Sequence, residues 1–313
     1  MLSYILLPVG LLVLLKGGDW LVKGAAGLAQ RFRVPPLVIG LTIVAFGTSA
    51  PELVISLDAA LIGAGGIAIG NVVGSNIANV LLVLAVPALI APIMRPEDRL
   101  GPTLAFLTLI TLFLMWRMSS GTLTRLDGVL LLAALAVYLA LQVRRSGGAA
   151  SGSDLSDEVG PVPTEGWKLA ALLVVGLLSL PLGAKLTVDS AVFIARALDV
   201  SDEVIGLTIV AIGTSLPELA TGISAARQGA GSVAMGNVIG SNFFNIAGIL
   251  GITATVTSIP VTSHIVTFDM WVMLAATLFL VALAVFDLRI GRRVGGSLLA
   301  AYIVYLVATA VLT

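Results

Sequence analysis

The sequence predicts an all-α polytopic membrane protein of about ten transmembrane helices, built as two inverted five-helix repeats with broken helices at the midplane. Three observations lead there. Of 313 residues, 58% are hydrophobic and only 11% charged, too few charges to cover a water-soluble globule of this size. Apolar runs of about 20 residues, the length that crosses roughly 30 Å of hydrocarbon as helix, recur through nearly the whole chain. Finally, one passage occurs twice: the segment from Val38 to Leu53, containing Gly47-Thr48-Ser49-Ala50-Pro51-Glu52, returns from Val204 to Leu219 as Gly213-Thr214-Ser215-Leu216-Pro217-Glu218. At the same offset of 166 positions, Gly70-Asn71-Val72-Val73-Gly74-Ser75-Asn76-Ile77-Ala78-Asn79 is echoed by Gly236-Asn237-Val238-Ile239-Gly240-Ser241-Asn242-Phe243-Phe244-Asn245.

In order along the chain, the predicted spans are 2–29, 35–62, 67–92, 102–118, 126–143, 167–197, 203–227, 232–258, 268–287 and 295–312. The first is not a cleavable leader, because it lacks a basic start and carries Lys16, Asp19 and Lys23 in its second half. Residues 144–166 hold a Gly, Ser and acid-rich stretch without apolar periodicity, which reads as a linker too short to fold on its own. The chain thus divides into a first five-helix repeat, 1–143, a cytoplasmic linker, 144–166, and a second repeat, 167–313. Since five is odd, the second repeat enters the membrane from the opposite side, an arrangement typical of secondary transporters.

Orientation follows from the basic residues. Arg31, Arg33, Arg95, Arg99, Arg144, Arg145, Lys168, Arg227, Arg289, Arg292 and Arg293 fall on one side, against Arg117, Arg125 and Arg196 on the other. That bias places the linker in the cytoplasm and both termini outside a cell (plasma or inner) membrane. With 17 basic and 17 acidic residues the net charge is zero, so no nucleic-acid partner is indicated. The lipid bilayer and inorganic cations are the expected partners, and the chain is expected to work as a monomer.

The first and sixth spans carry Asp19 with Lys23 and Lys185 with Asp189, each pair four residues apart on one helical face. They are charge-reversed copies, neutral within each pair, and read as local ion pairs. Lys16 is free to reach the interface.

The chemistry lies in the second, third, seventh and eighth spans. Pro51 and Pro217 remove a backbone donor, while Gly47 and Gly213 lower the cost of irregular backbone just upstream, so both helices should break there. A break in lipid frees carbonyls and is tolerated where backbone lines an ion site. The carbonyls of Ala45, Phe46, Ala211 and Ile212 are candidates, beside Thr48, Ser49 and Glu52 and their copies Thr214, Ser215 and Glu218. An intramembrane glutamate is costly, and function is its default explanation. On the third span Asn71, Ser75 and Asn79 share a face beside Gly70 and Gly74, as do Asn237, Ser241 and Asn245 beside Gly236 and Gly240 on the eighth. Small residues there let backbones approach closely, bringing Ser75, Asn79, Ser241 and Asn245 to the breaks. Asn71, Asn76, Asn237 and Asn242 read first as hydrogen bonds between helices. Every donor on offer is oxygen, which suits hard cations such as Ca2+ and Na+. A chain with no cysteine and the single histidine His264 is poorly equipped for zinc or copper.

The paired Gly-Thr-Ser-x-Pro-Glu motifs, each followed by Gly-Asn-x-x-Gly-Ser-Asn, resemble the two alpha-repeats of the cation/calcium antiporter superfamily, and most closely its prokaryotic sodium/calcium exchanger group. The resemblance covers nearly the whole chain. It implies a cluster of cation sites formed by Thr48, Ser49, Glu52, Ser75 and Asn79, then Thr214, Ser215, Glu218, Ser241 and Asn245, with the Ala45 and Ala211 carbonyls. Where some relatives have Asp in the second repeat this chain has Asn245, which bears on stoichiometry and potassium dependence.

Two carboxylates neutralise one Ca2+ or two Na+, and a buried pocket cannot hold both loads without excess charge. Competition for one site gives obligatory exchange. The oxygen set offers more than two positions, and with the resemblance this favours three Na+ per Ca2+. Inverted repeats supply inward- and outward-facing states, and the resemblance makes the first and sixth spans the sliding elements. No cofactor and no enzymatic activity are expected, since a hydrolase would need a nucleophile with a base or a metal pair, and His264 lies in a predicted loop. A channel would need a continuous pore, which paired carboxylates at broken helices do not demand. The rival within transporters is Ca2+/H+ exchange, because two neighbouring carboxylates can carry protons instead of Na+; a potassium-dependent variant is the other.

Overall fold

The computed structural model describes residues 2–93, 100–146, 163, 165–199, 209, 211–286 and 289–312. Arg95, Arg99, the linker residues 147–162 and positions 200–208 and 210, at the start of the seventh span, lie outside them.

Among the described residues the regular structure is helix apart from one pair of two-residue strands and an isolated bridge. Among the described residues eight helices are long and apolar enough to cross a membrane, and the second span, Pro36–Thr48 with Ala50–Leu61 bent by 45°, makes nine. The seventh, described only from Ala211–Gly213 and Leu216–Arg227, is the tenth expected span. The other spans are Leu2–Phe32, Gly65–Ile90, Gly101–Met118, Arg125–Ser146, Gly166–Ala197, Gly231–Val256, Ile265–Val285 and Arg292–Leu312. Apart from the start of the seventh span, which lies outside the described residues, each expected end is met within about three residues.

The duplication extends to backbone detail. Arg33 and Asp199, at φ 53° and 57°, close the first and sixth spans in left-handed conformation, and they are repeat counterparts. Gly63 and Gly229, at φ 81° and 74°, turn the chain after the second and seventh, where only glycine adopts that geometry without strain. Short strands also match across the molecule. Thr122 and Leu123 pair with Pro260 and Ile259 on one side, and Ile93 bridges Ile290 on the other. Ile93 and Ile259 are again counterparts.

Burial identifies the centre. The third and eighth spans are 78% and 89% buried, against 17% to 39% for the other unbroken spans, so these two form the core and the other unbroken spans surround it. Leu109, Trp116, Val143 and Val304 are among the large apolar side chains on the outside. The polar residues run the opposite way: Ser75, Asn76, Asn79, Asn237, Ser241, Asn242 and Asn245 are all buried. The first half of the second span lies across the eighth, where Gly236 and Gly240 allow backbone contact: a Cβ on either would stand 2.6 Å from the Leu37 or Leu41 carbonyl oxygen. The first and sixth spans pack along each other at the edge of this core.

Of the charged pairs there, Lys185 Nζ meets Asp189 Oδ2 at 2.9 Å, both side chains exposed. Asp19 and Lys23 form no such pair within the described residues.

Candidate cation site

Each broken helix is interrupted at a serine. Ser49 at φ −86°, ψ 4° and Ser215 at φ −85°, ψ 4° leave the helical region by the same amount, and a new helix begins one residue later. Pro51 and Pro217 fall in the first turn of that second piece, where a missing N–H costs nothing. Glu52 and Glu218 also sit in that first turn, so each carboxylate lies at the positive end of a helix dipole. The preceding piece, Ala45–Thr48, ends at the same place and directs its carbonyls there. Candidate cation ligands and carboxylate support therefore come from one interruption.

Gly47 and Gly213 play a different part from the one expected. Both are helical, and what they permit is contact with the sixth span: a Cβ on Gly47 would collide with Leu177, and one on Gly213 with Val188. The interruption itself belongs to Ser49 and Ser215.

A further departure from regular helix was not expected from sequence. A π-helical turn, Gly40–Val44, precedes Ala45, and two more begin at or beside the site asparagines, Asn79–Val83 and Phe244–Ile249. Such turns are rare and concentrate at functional sites. Each rotates the helix beyond it, so Asn79 and Asn245 sit where regular helix ends.

The side chains meet across the repeats. Thr48 Oγ1 lies 3.1 Å from Asn237 Oδ1, 3.4 Å from Ser241 Oγ and 3.3 Å from its own Ala45 carbonyl. With one proton, it donates to one of these at a time. Ser49 Oγ donates to Glu218 Oε1 at 3.1 Å, and Asn79 Nδ2 to Asn242 Oδ1 at 3.0 Å. Within the first repeat, Asn71 Nδ2 bonds the Glu52 carbonyl at 3.2 Å and Ser56 Oγ at 2.9 Å, fixing the helix that carries Glu52. Ser56, one turn past Glu52 on the same face, was missed from the sequence. The network thus ties together Ala45, Thr48, Ser49, Glu218, Asn237 and Ser241, with Glu52 held through its backbone. Ser75, Ser215 and Asn245 are buried and make no hydrogen bond to this network among the described residues, Thr214 is half-buried, and Ala211 opens the short helix before the second break.

Glu52 and Glu218 are each 1% exposed. Neither carboxylate pairs with a lysine or arginine among the described residues. Glu52 Oε2, Glu218 Oε2, Asn79 Oδ1, Ser215 Oγ and Asn245 Oδ1 are buried without a hydrogen-bond partner among the described residues. Buried carboxylates without partners are strongly unfavourable unless a cation or proton joins them. No group of three or more His, Cys, Asp or Glu gathers among the described residues, so a cation held here would draw on a mixed set of carboxylate, hydroxyl, amide and carbonyl oxygens. Such all-oxygen surroundings fit hard cations.

Comparison with known proteins agrees with the geometry. The sodium/calcium exchanger protein family matches residues 2–144 and 168–311. The chain is 36% identical to the sodium/calcium exchanger MaX1 of Methanosarcina acetivorans, covering 97% of each, and 39% identical to the putative antiporter CaxA of Alkalimonas amylolytica, covering 93% of this chain and 92% of that one. Its fold superposes on the sodium-calcium exchanger NCX_Mj, soaked with Na+ and Sr2+, with a TM-score of 0.85, 36% identity and 98% of each chain covered. With a multi-span helical body, inverted repeats and the two glutamate breaks in place, this chain belongs to the sodium/calcium exchanger family of membrane antiporters.

Proposed function

We propose that this protein exchanges Ca2+ for Na+ by alternating access, with three Na+ moved per Ca2+. The observation that carries the reading is the pair of buried glutamates, each in the first turn after a helix interruption and each with an unpartnered oxygen facing neutral oxygen donors. Glu52 and Glu218 supply the neutralising charge. Thr48, Ser49 and Ser75 with the Ala45 carbonyl form one set of ligands, and Thr214, Ser215 and Ser241 with the Ala211 carbonyl form the other. Asn79 and Asn245 lie between them. Ca2+ takes about six to eight oxygens, which this set can provide without any further protein charge.

Alternating access is supported by the lopsided bonding of the two repeats. Units 1–143 and 167–313 act as the two repeats, the linker 144–166 stays in the cytoplasm, both ends lie outside, and a single copy is sufficient for transport. The name of the CaxA relative keeps proton exchange as the second reading. Purified protein in sealed vesicles loaded with Na+ should take up Ca2+ when the Na+ gradient points outward. Uptake that follows an imposed pH gradient and ignores Na+ would overturn the sodium reading in favour of protons.

A further inference from the structure

Tyr138 stands out in the fifth span as a phenol among aliphatic residues, yet it is only 2% exposed. Its hydroxyl donates to the Leu41 carbonyl at 3.1 Å, and its ring stacks on Phe243 with centroids 4.1 Å apart and planes 18° from parallel. Leu41 belongs to the π-helical turn Gly40–Val44. In that turn the Ala45 N–H reaches back to the Gly40 carbonyl and bypasses Leu41, its partner in a regular α-helix. The Leu41 carbonyl is therefore released, in a buried place where an unpaired acceptor is costly. It is met from two sides: Tyr138 supplies a proton, and Gly240 lacks the side chain that would stand 2.6 Å away.

The tyrosine has no counterpart in the second repeat: the position matching Tyr138 is Val304, which is 67% exposed and has no proton to give.

We propose that Tyr138 is a positioning residue for ion exchange: by holding the Leu41 carbonyl it sets the phase of the π turn, and so the direction of the Ala45 carbonyl and the Thr48 hydroxyl one and two turns on. The stack on Phe243, two residues before Asn245, places the fifth span, the second span and the eighth-span end of the site in one rigid unit. Tyr138 touches no ion. The inference rests on the exchange reading given above, with Ala45 and Thr48 as ligands.

Tyr138→Phe keeps the ring and the stack and removes only the hydroxyl. The apparent KM for Ca2+ and for Na+ should each rise about 3- to 10-fold, the range of one lost hydrogen bond, with maximal rate within about twofold because no charge is lost. Thermal protection of the detergent-solubilised variant by Ca2+ should shift to higher Ca2+ by a similar factor. Tyr305→Phe is the control for plain destabilisation, since Tyr305 bonds Asp269 at 3.0 Å between the ninth and tenth spans. If Tyr138→Phe lowers the melting temperature as Tyr305→Phe does while KM stays unchanged, the hydroxyl is structural only and the inference fails; a fall in maximal rate at constant KM overturns it too. Should Tyr138→Phe fail to fold, Phe243→Leu keeps the hydroxyl but unseats the ring, and an unchanged KM there is equally fatal. A wild-type protein without Na+-driven Ca2+ flux removes the exchange reading, and this inference with it. Wild-type flux with an unaltered variant removes this inference alone.

Discussion

The two halves of the cation site carry nearly the same residues and make different bonds. Ser49 reaches Glu218, whereas among the described residues its copy Ser215 has no partner and Glu52 Oε2 is unbonded. Asn79 donates to Asn242, whereas Asn245 and Asn76, the mirrored pair, each have both amide atoms unpartnered among the described residues. The first span packs along Leu216–Arg227, and the symmetry-related contact of Gly166–Ala197 with Ala50–Leu61 is not comparably made. On the proposed alternating-access reading, duplicated sequence with unduplicated contacts corresponds to one of two mirror-related states, and the bonds present in one indicate those that form in the other.

The comparison can be broken hardest at the glutamates. Glu52→Ala and Glu218→Ala should each reduce Ca2+ flux more than about 100-fold while the protein still inserts, because each removes half the neutralising charge from a buried site. Near-normal exchange in either variant would show that the halves are not equivalent in charge.

Next in size is the response to voltage. If each half holds one Na+ and they share a third, each cycle moves one net charge, worth about 2.3 kcal/mol per 100 mV, so that potential should change the equilibrium Ca2+ ratio across a vesicle about 50-fold. A ratio indifferent to potential points instead to two Na+, or two H+, per Ca2+.

The close packing of the first half is tested at Gly240. Gly240→Ala should cost about 1–3 kcal/mol of stability, since its Cβ meets the Leu41 carbonyl. An unchanged melting temperature would deny that contact.

Smallest is the effect of the threonines. Thr48→Ala and Thr214→Ala each remove one neutral ligand and should raise the Ca2+ KM about 2- to 10-fold. Threonine variants that are dead beside active glutamate variants would invert the proposed ligand hierarchy.

Much of this fold was legible because lipid leaves few options. Spans announce themselves by length, and a repeated Thr-Ser-x-Pro-Glu announces its own break. The glycines before the break were misjudged, since only the packed structure shows Leu177 and Val188 lying against them. The π turns at Gly40, Asn79 and Phe244 leave no sequence signal, because one extra residue in a turn depends on neighbouring helices to satisfy the released carbonyl. Tyr138 could have been noticed as a hydrogen-bonding group in an aliphatic helix, but its partner is 97 positions away. The lopsided bonding was beyond reach altogether: two copies of one motif cannot say which is engaged.

The small strand pairings carry a mechanical consequence. On one membrane face Thr122 and Leu123 of the first repeat are stitched to Pro260 and Ile259 of the second, reinforced by Val261 N–H on the Gly121 carbonyl at 3.0 Å. On the other face Ile93 and Ile290 exchange bonds of 3.0 and 3.2 Å. Each stitch joins opposite repeats, and together they fasten the body at top and bottom like hasps on both edges of a box. A box fastened so cannot open as a hinged shell. The first and sixth spans lie outside both fastenings, so on the proposed exchange reading they are the elements left to move while the frame that carries Glu52 and Glu218 stays closed.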